Sequence, residues 1–416
     1  MSKILLISHI FPPAIDGGSK VVYKLGRQFK ARGHDTLYLS SNCSSTDDFV
    51  KSKYLKSEKL TSDQLKLSVY CFRRPLRLLE IICTKFLFIN PKSYFINFIK
   101  VLQKGPIFKF FPFLKATIKI IKFKPDLIVA GPLPTTIVLY ANFFKFLSNV
   151  LTRQNSKVLI NASFHPTDLD FQLKPLIKSL QRADYLWTLT EYESNYFINN
   201  FKINPNQIIL AGNGVDAKFL IKSKKKLIPE KLTSNILFIG SFSAHKRVDL
   251  LINSFSLLLK AKSNLLPAKL IIAGQKTLYY PQIKKTFDSL PLKTRSKIKF
   301  IFDFPQNKLA SLIDNCTFLV LPSIQESFGL VVIESWARGK PVIVSNIPSL
   351  SELVNKSNGG LIFQKDNLVD LQTKMEKLIN SPILCHQYGQ NGLKYVKTNY
   401  LWEKVSEKIC QEVNLF

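Results

Sequence analysis

Short apolar runs rich in branched side chains alternate with helix-length stretches along this chain, and the whole alternation occurs twice. That is the pattern of a doubly wound parallel sheet, repeated. The first series places strands near residues 4–8, 36–40, 127–130, 157–161, 185–190 and 208–210. A polar, basic stretch from Lys222 to Thr233, broken by Pro229, reads as a linker. A second series follows near 235–240, 269–273, 299–302, 318–321, 341–345 and 360–363. At 416 residues the chain exceeds the usual size of one hydrophobic core, so two α/β domains are expected. Ligands of open parallel sheets sit beyond the carboxyl ends of the strands. Two such domains facing one another would leave the site in the cleft between them.

One segment carries more chemistry than the rest. Pro322-Ser-Ile-Gln-Glu-Ser-Phe-Gly-Leu-Val-Val-Ile-Glu334 sets two carboxylates eight residues apart around the start of a predicted helix. Ser327 is read as its N-cap, 328–337 as the helix, and Gly339 with Pro341 as the stop before an apolar strand. Eight helical residues rise roughly 12 Å, close to the span of a sugar, a diphosphate and a ribose. The amides of Phe328, Gly329 and Leu330 would lie between the two acids, where the partial positive charge of a helix start favours an anion. The plainer reading makes Glu326 and Glu334 two solvated acids on an ordinary helix.

Composition narrows the partners. The six cysteines are scattered without the short paired spacing of a zinc site, a redox pair or a disulfide scaffold, so free thiols in a reducing cytosol are expected. The first nine residues are apolar for too short a run to be the core of a signal peptide, and residues 127–144 are interrupted by Gly131, Pro132 and Pro134. No membrane-spanning segment is indicated. The formal net charge is +31, and between Gln64 and Pro125 thirteen Lys or Arg face a single acid, Glu80. Such a field calls for an anionic partner. On the predicted helix over 113–124, Lys115, Lys119 and Lys122 share one face and Leu114, Ile118 and Ile121 another. Two readings stay open: a sheet-covering helix with solvated lysines, or a surface drawn to anionic lipid, where each basic residue contributes roughly 1 kcal/mol. In the second, Phe86, Phe88, Tyr94, Phe95, Phe98, Phe108, Phe110 and Phe111 supply the embedded part. Nucleic acid is disfavoured, because no helix-turn-helix, zinc-finger or RNA-recognition pattern is present.

The run Pro-Ser-x-x-Glu-x-Phe-Gly-Leu-x-x-x-Glu-x-x-Ala-x-Gly-Lys-Pro-Val resembles the signature of family-4 glycosyltransferases. Further resemblances follow in the family's order: Ile7 to Pro13 with Gly17-Gly18, Gly33-His34, Lys124-Pro-Asp126, Ala183-Asp184, Asn213-Gly-Val-Asp216, His245 to Ile252, and Ile271 to Gly274. The resemblance implies the GT-B architecture, two Rossmann-like domains facing across a cleft. The acceptor-side domain would cover residues 1–218 and the nucleotide-sugar domain 219–399, with a helix over about 400–416 returning to the first and Trp402 as its anchor. It also implies retaining sugar transfer from a nucleotide diphosphate sugar to a glycan or lipid-linked acceptor, with no metal or other cofactor required. The expected setting is cell-envelope or exported polysaccharide synthesis, in the cytoplasm or on the inner face of the membrane.

Departure of a nucleoside diphosphate builds negative charge, so the site needs cations or amides near its oxygens. Lys246 is the first candidate, since the family commonly reads Gly-Arg-Leu-x-x-x-Lys where this chain has Gly240-Ser-Phe-Ser-Ala-His-Lys246. Ser241 therefore stands where arginine is expected, and it lacks the charge and fork of guanidinium unless Arg247 or another base substitutes. Gly17 and Gly18 resemble the family's glycine pair near the diphosphate; a turn needing positive φ explains them equally. His165 resembles the histidine that contacts the donor sugar. Asp168 and Asp170 are candidate acceptor-side bases. His9 is either near the cleft or packed, His34 belongs to a helix-to-strand turn, and Glu352 reads as the cap of another loop. In this account Glu326 holds sugar hydroxyls or steadies a cationic transition state, and Glu334 holds the ribose. A catalytically inactive scaffold and a nucleotide-sugar epimerase are the alternatives.

Overall fold

A computed structural model describes residues 1–11, 17–43, 64–67, 69–70, 73–87, 89–103, 105–166, 168–220, 235–261 and 268–415. The expected linker over 222–233 and the expected contribution of Phe88 lie outside these residues. The chain divides into two units, Met1–Gly212 together with Val405–Phe416, and Asn213–Lys404.

The first unit is built on a seven-stranded sheet. Its strands run in chain order β1 (Lys3–Ile7), β2 (Asp35–Ser41), β3 (Gln64–Leu67), β6 (Leu127–Ala130), β7 (Lys157–Asn161), β8 (Tyr185–Thr188) and β9 (Ile208–Leu210). The short strands β4 (Val69–Tyr70) and β5 (Ile107–Phe108) form a separate antiparallel pair. The spatial order is β3-β2-β1-β6-β7-β8-β9, with every neighbour parallel. Continuous apolar strands are what such a sheet demands, since both faces are covered. Ile4, Leu5, Leu6 and Ile7 are accordingly all fully buried. Acidic side chains tie the strand entrances: Asp126 accepts from Lys3 N at 2.8 Å, and Asp184 accepts from Val158 N and Lys145 Nζ, each at 2.7 Å.

The second unit carries a six-stranded parallel sheet of β10 (Asn235–Ile239), β11 (Lys269–Gly274), β12 (Ile298–Phe302), β13 (Phe318–Leu321), β14 (Val342–Ser345) and β15 (Gly360–Phe363), in the order β12-β11-β10-β13-β14-β15. Each order reverses once, between β1 and β6 in the first sheet and between β10 and β13 in the second. Crevices open at such points, beyond the strands' carboxyl ends. Gly274, at φ 155, lets the ends of β11 and β10 approach: a Cβ there would lie 1.7 Å from the Gly240 carbonyl oxygen. Trp336 fills the interior behind β14 and donates from Nε1 to the Gly359 carbonyl at 2.8 Å.

The C-terminal helix Trp402–Glu412 begins in the second unit, where Trp402 is buried against Gly214 and its N–H bonds Val215 O at 3.1 Å. From Val405 the chain belongs to the first unit, and Arg32 Nε donates to Ser406 Oγ at 3.3 Å.

Several local expectations need correction. The helix at 113–124 starts earlier, spanning Phe110–Phe123, and it buries Ala116, Thr117 and Ile120. Leu114 and Ile118, expected on its apolar face, are 45% and 47% exposed, alongside Lys115 and Lys119. The aromatic residue Phe113 takes the inner position instead, stacking on Phe108 at 5.9 Å and packing on Phe144 at 5.8 Å. Phe108 is likewise buried core rather than an embedding surface residue. Glu352 is not a loop cap: it lies within the helix Pro348–Ser357 and pairs with Lys356 one turn on, at 2.8 Å. Five cysteines among the described residues are free and buried, and burial pushes the Cys316 and Cys385 thiols up to about 12. No helix among the described residues is long and apolar enough to cross a membrane.

Candidate active site at the β10–β13 crevice

Strand β10 pairs directly with β13, in register Ile236 to Phe318 and Leu237 to Leu319, so the loops that follow them emerge side by side. The first carries Lys246 and the second Glu326. These two side chains meet: Lys246 Nζ donates to Glu326 Oε1, with only 17% and 11% of the side chains exposed. Glu326 also accepts from Ser323 Oγ at 2.9 Å, while its carbonyl accepts from Ser349 Oγ at 2.8 Å. A third tie, Ile324 N to His245 O at 2.8 Å, joins the two loops through the backbone. An ammonium and a carboxylate paired at a sheet's carboxyl edge and largely out of solvent attract each other more strongly than in water, at the cost of desolvating both groups.

The helix after β13 differs from expectation. It spans Leu330–Ala337, and its N-cap is Gly329 at φ 85, with no side-chain cap from Ser327. Glu326 therefore belongs to the preceding loop, so helical rise does not set its separation from Glu334. Glycine is required at 329 twice over, because its φ is positive and an added Cβ would lie 2.7 Å from Leu350 Cδ2. The Phe328 side chain is core, buried against the Tyr400 ring at 5.2 Å, which leaves only its backbone toward the crevice loop. Leu330 opens the first turn, in which Val332 N donates to the Gly329 carbonyl at 2.9 Å, while a helix start leaves its leading amides without intrahelical acceptors. Glu334 is half-buried on the same helix. The stop signal behaves as read, with Gly339 at φ 68 before β14.

Ser241 lies in a short polar chain: its Oγ is 3.1 Å from Ser243 Oγ, which is 3.4 Å from His245 Nε2. Burial holds the His245 imidazole below its ordinary pKa, the Lys246 charge adds to this, and Glu326 opposes it. Arg247 does not take up the role left open by Ser241. Its guanidinium is bound to Asp366 and lies 3.5 Å from Asp249.

The remaining sequence candidates belong to the first unit. Gly17 and Gly18 open the helix Gly17–Ala31 after β1, and Gly18 is helical, so no positive-φ turn accounts for it. The reason is contact: a Cβ on Gly18 would meet Pro132 Cγ, in the loop after β6, at 2.5 Å. His9 is buried, its Nε2 3.3 Å from Ser19 Oγ. His34 accepts from Ser2 N at 3.3 Å in a helix-to-strand turn. His165 follows β7, half-buried, with its ring 5.6 Å from Phe171. Asp168 caps the 3-10 turn Leu169–Gln172 by accepting from Asp170 N at 2.9 Å, which gives both aspartates a place in local structure.

Sequence reasoning missed three features. Glu193, almost wholly buried, accepts from Phe164 N at 2.7 Å and Leu189 N at 2.5 Å, fixing the loop that bears His165 to the one after β8. Its signal was the Thr190-x-x-Glu193 helix start. The serines 323, 345 and 349 frame Glu326, since Ser345 Oγ donates to Ser323 O. Lys276, two residues beyond β11, lies over the Phe302 ring at 4.1 Å and the Tyr280 ring at 4.9 Å. Among the described residues no three His, Cys, Asp or Glu side chains gather as a metal-binding group.

Residues 219–395 match the family model for glycosyl transferases group 1. The match falls within the second unit, which is thus similar to a group 1 glycosyltransferase domain. An uncharacterised glycosyltransferase of Methanocaldococcus jannaschii is 32% identical over 222 residues, which is 53% of this chain and 57% of that protein. The chain spans about half the length of the curated relatives it matches first. The whole fold is similar to that of a sucrose-phosphate synthase from Thermosynechococcus elongatus, at a TM-score of 0.70, 17% identity and 99% and 98% coverage of the two chains. It is also similar to Anabaena HepE, solved in complex with UDP and glucose, at a TM-score of 0.68, 13% identity and full coverage of both chains. Two parallel-sheet α/β units of the GT-B type are thus the architecture of this chain.

Proposed function

We propose that the chain is a retaining glycosyltransferase of the family-4 type, moving a sugar from a nucleotide diphosphate sugar to a glycan or lipid-linked acceptor in cell-envelope or exported polysaccharide synthesis. The observation that carries the reading is the Lys246–Glu326 pair at the β10–β13 crevice, beside the helix start under Gly329. The match to a group 1 domain and the UDP bound by a structural neighbour support it.

In this reading Lys246 and the first-turn amides near Leu330 take the diphosphate, where they stabilise charge as it develops on the leaving group. Glu326 then faces the sugar, and Glu334, further along the helix, faces the ribose. Binding exchanges one anionic partner of Lys246 for another, so the ammonium enters the site already oriented. Gly18 and His165 belong to the acceptor-side unit, and Gly17 with them. A lipid-linked acceptor would place the enzyme at the inner face of the membrane, facing the cytoplasm.

Ser241 and the engaged Arg247 favour a second reading, a sugar-binding scaffold without turnover. Incubation with a panel of nucleotide sugars and lipid-linked or glycan acceptors, followed by mass spectrometry of donor and product, separates the two. Transfer supports the enzyme. Donor binding without transfer or nucleotide release supports the scaffold, and an isomerised donor with no transfer would make it an epimerase.

A further inference from the structure

Exposed apolar side chains are not scattered over this molecule. Of the 24 large hydrophobic residues exposed among the described residues, sixteen fall between Leu78 and Leu151, a concentration in one stretch of chain that single scattered exposures do not produce. The helices of this stretch form a contiguous layer. Arg73–Ile81 packs on Tyr94–Leu102, which packs on Lys174–Arg182, which packs on Ile137–Thr152, which packs on Phe110–Phe123. On Ile137–Thr152 the residues Leu139, Phe143, Phe146 and Val150 recur every three or four positions, and with Ser179 and Arg182 they line a groove of about 580 Å³. Phe111, Phe146 and Leu151 are 74%, 63% and 61% exposed.

The same layer is almost free of negative charge. These five helices and the π-helical turn Ile82–Phe86 contain twelve Lys or Arg and a single acid, Glu80. That acid is engaged by Lys100 at 3.7 Å and by Gln103 Nε2 at 2.9 Å. Lys115, Lys119 and Lys122 stand exposed beside Leu114 and Ile118, so cations and apolar groups share one outward face.

We infer that this helical layer of the first unit is a docking surface for an anionic lipid bilayer. The apolar side chains enter the acyl boundary while the lysines meet the headgroups, their stems lying along the apolar surface. A second copy of the chain fits less well, because a two-fold interface would set this basic face against itself. Nucleic acid fits less well too: seven of the sixteen exposed side chains are aromatic, but the other nine are Leu, Ile or Val, which offer no π-face to a base. Vesicle binding needs no donor sugar, so this surface stands or falls apart from the transferase reading.

The test is flotation of the full chain with vesicles of phosphatidylcholine alone and of phosphatidylcholine with about 30% phosphatidylglycerol. Partition should be at least about tenfold greater on the anionic vesicles and fall steeply as salt is raised. The triple variants Phe111→Ser/Leu114→Ser/Ile118→Ser and Lys115→Gln/Lys119→Gln/Lys122→Gln should each lose about tenfold. Lys285→Gln/Lys293→Gln/Lys299→Gln, which removes the same charge from exposed sites of the second unit, should lose nothing. As a measurement free of variants, deuterium uptake in Phe110–Phe123 and Ile137–Thr152 should slow on anionic vesicles. Equal partition onto both vesicles, equal loss in the two lysine triples, or unchanged uptake in both helices overturns the proposal. So does a concentration-dependent dimer dissolved by the Phe111 triple, which would assign the face to a second copy, or displacement of vesicles by DNA that the same triple still binds.

Discussion

At the scale of single residues, Lys246 and Glu326 are coupled by a direct ion pair, so their contributions to donor use should not add. Lys246→Ala should lower kcat/KM by about 10²- to 10³-fold, the usual cost of losing one preorganised partner of a developing charge. Glu326→Ala in that background should add much less than it does alone, and steady-state kinetics of the four proteins would reveal it. Unchanged turnover in Lys246→Ala would remove the pair from the mechanism. Gly329→Ala tests the helix start, since it forces a side chain into positive φ and against Leu350. It should cost roughly 1–3 kcal/mol in urea unfolding of the second unit. His245 supplies a pH signature. Its folded pKa lies below the ordinary 6.5, so the unfolded chain binds its proton first as pH falls. The stability associated with the neutral ring is complete above about pH 6.5 and lost as pH drops through the folded value. His245→Gln should therefore flatten that part of the stability profile, as read by thermal unfolding at a series of pH values.

At the scale of elements, the strands were legible because each is a continuous apolar run that can be buried on both faces only inside a parallel sheet. Strands at 127–130, 157–161, 318–321 and 360–363 occur as read. The edge strand β3 and the pair β4 and β5 were not, since Gln64-Leu-Lys-Leu67 alternates too briefly to be told from loop. The helix Leu330–Ala337 shows a different limit. Serine is the better cap by local preference, yet the chain caps on Gly329, because the turn into the helix needs positive φ under Leu350. Loop anchoring was equally hidden. Glu193 bonds Phe164 N, 29 residues away in sequence, so only the fold pairs them. Glu193→Gln offers one acceptor oxygen where two amides need acceptors, and should destabilise the first unit by about 2–4 kcal/mol. Hydrogen exchange in the loop bearing His165 should accelerate with it; unaltered exchange there would show that the carboxylate does not hold the loop.

At the scale of the whole molecule, the last helix belongs to both units in sequence, with Trp402 on the second and Val405 onward on the first. Val405 and Ile409 are buried to 1% exposure or less. A chain ending after Trp402 should unfold with the first unit destabilised by several kcal/mol and the second little changed, which unit-resolved hydrogen exchange would distinguish. A uniform loss in both units would contradict that division. By itself the sequence determined the two α/β series, the helix stop at Gly339, the basic and aromatic character of the first half, and the residues Lys246, Glu326 and Glu334 as candidates. Those follow from local periodicity, charge and backbone preference, which act over a few neighbours. The meeting of Lys246 with Glu326, the tying of Arg247 to Asp366, and the turning of Leu114 and Ile118 outward beside lysines were decided by tertiary structure alone. Strand order sets which loops become neighbours, and packing volume sets which side of a helix turns inward; both depend on contacts between segments far apart in the chain.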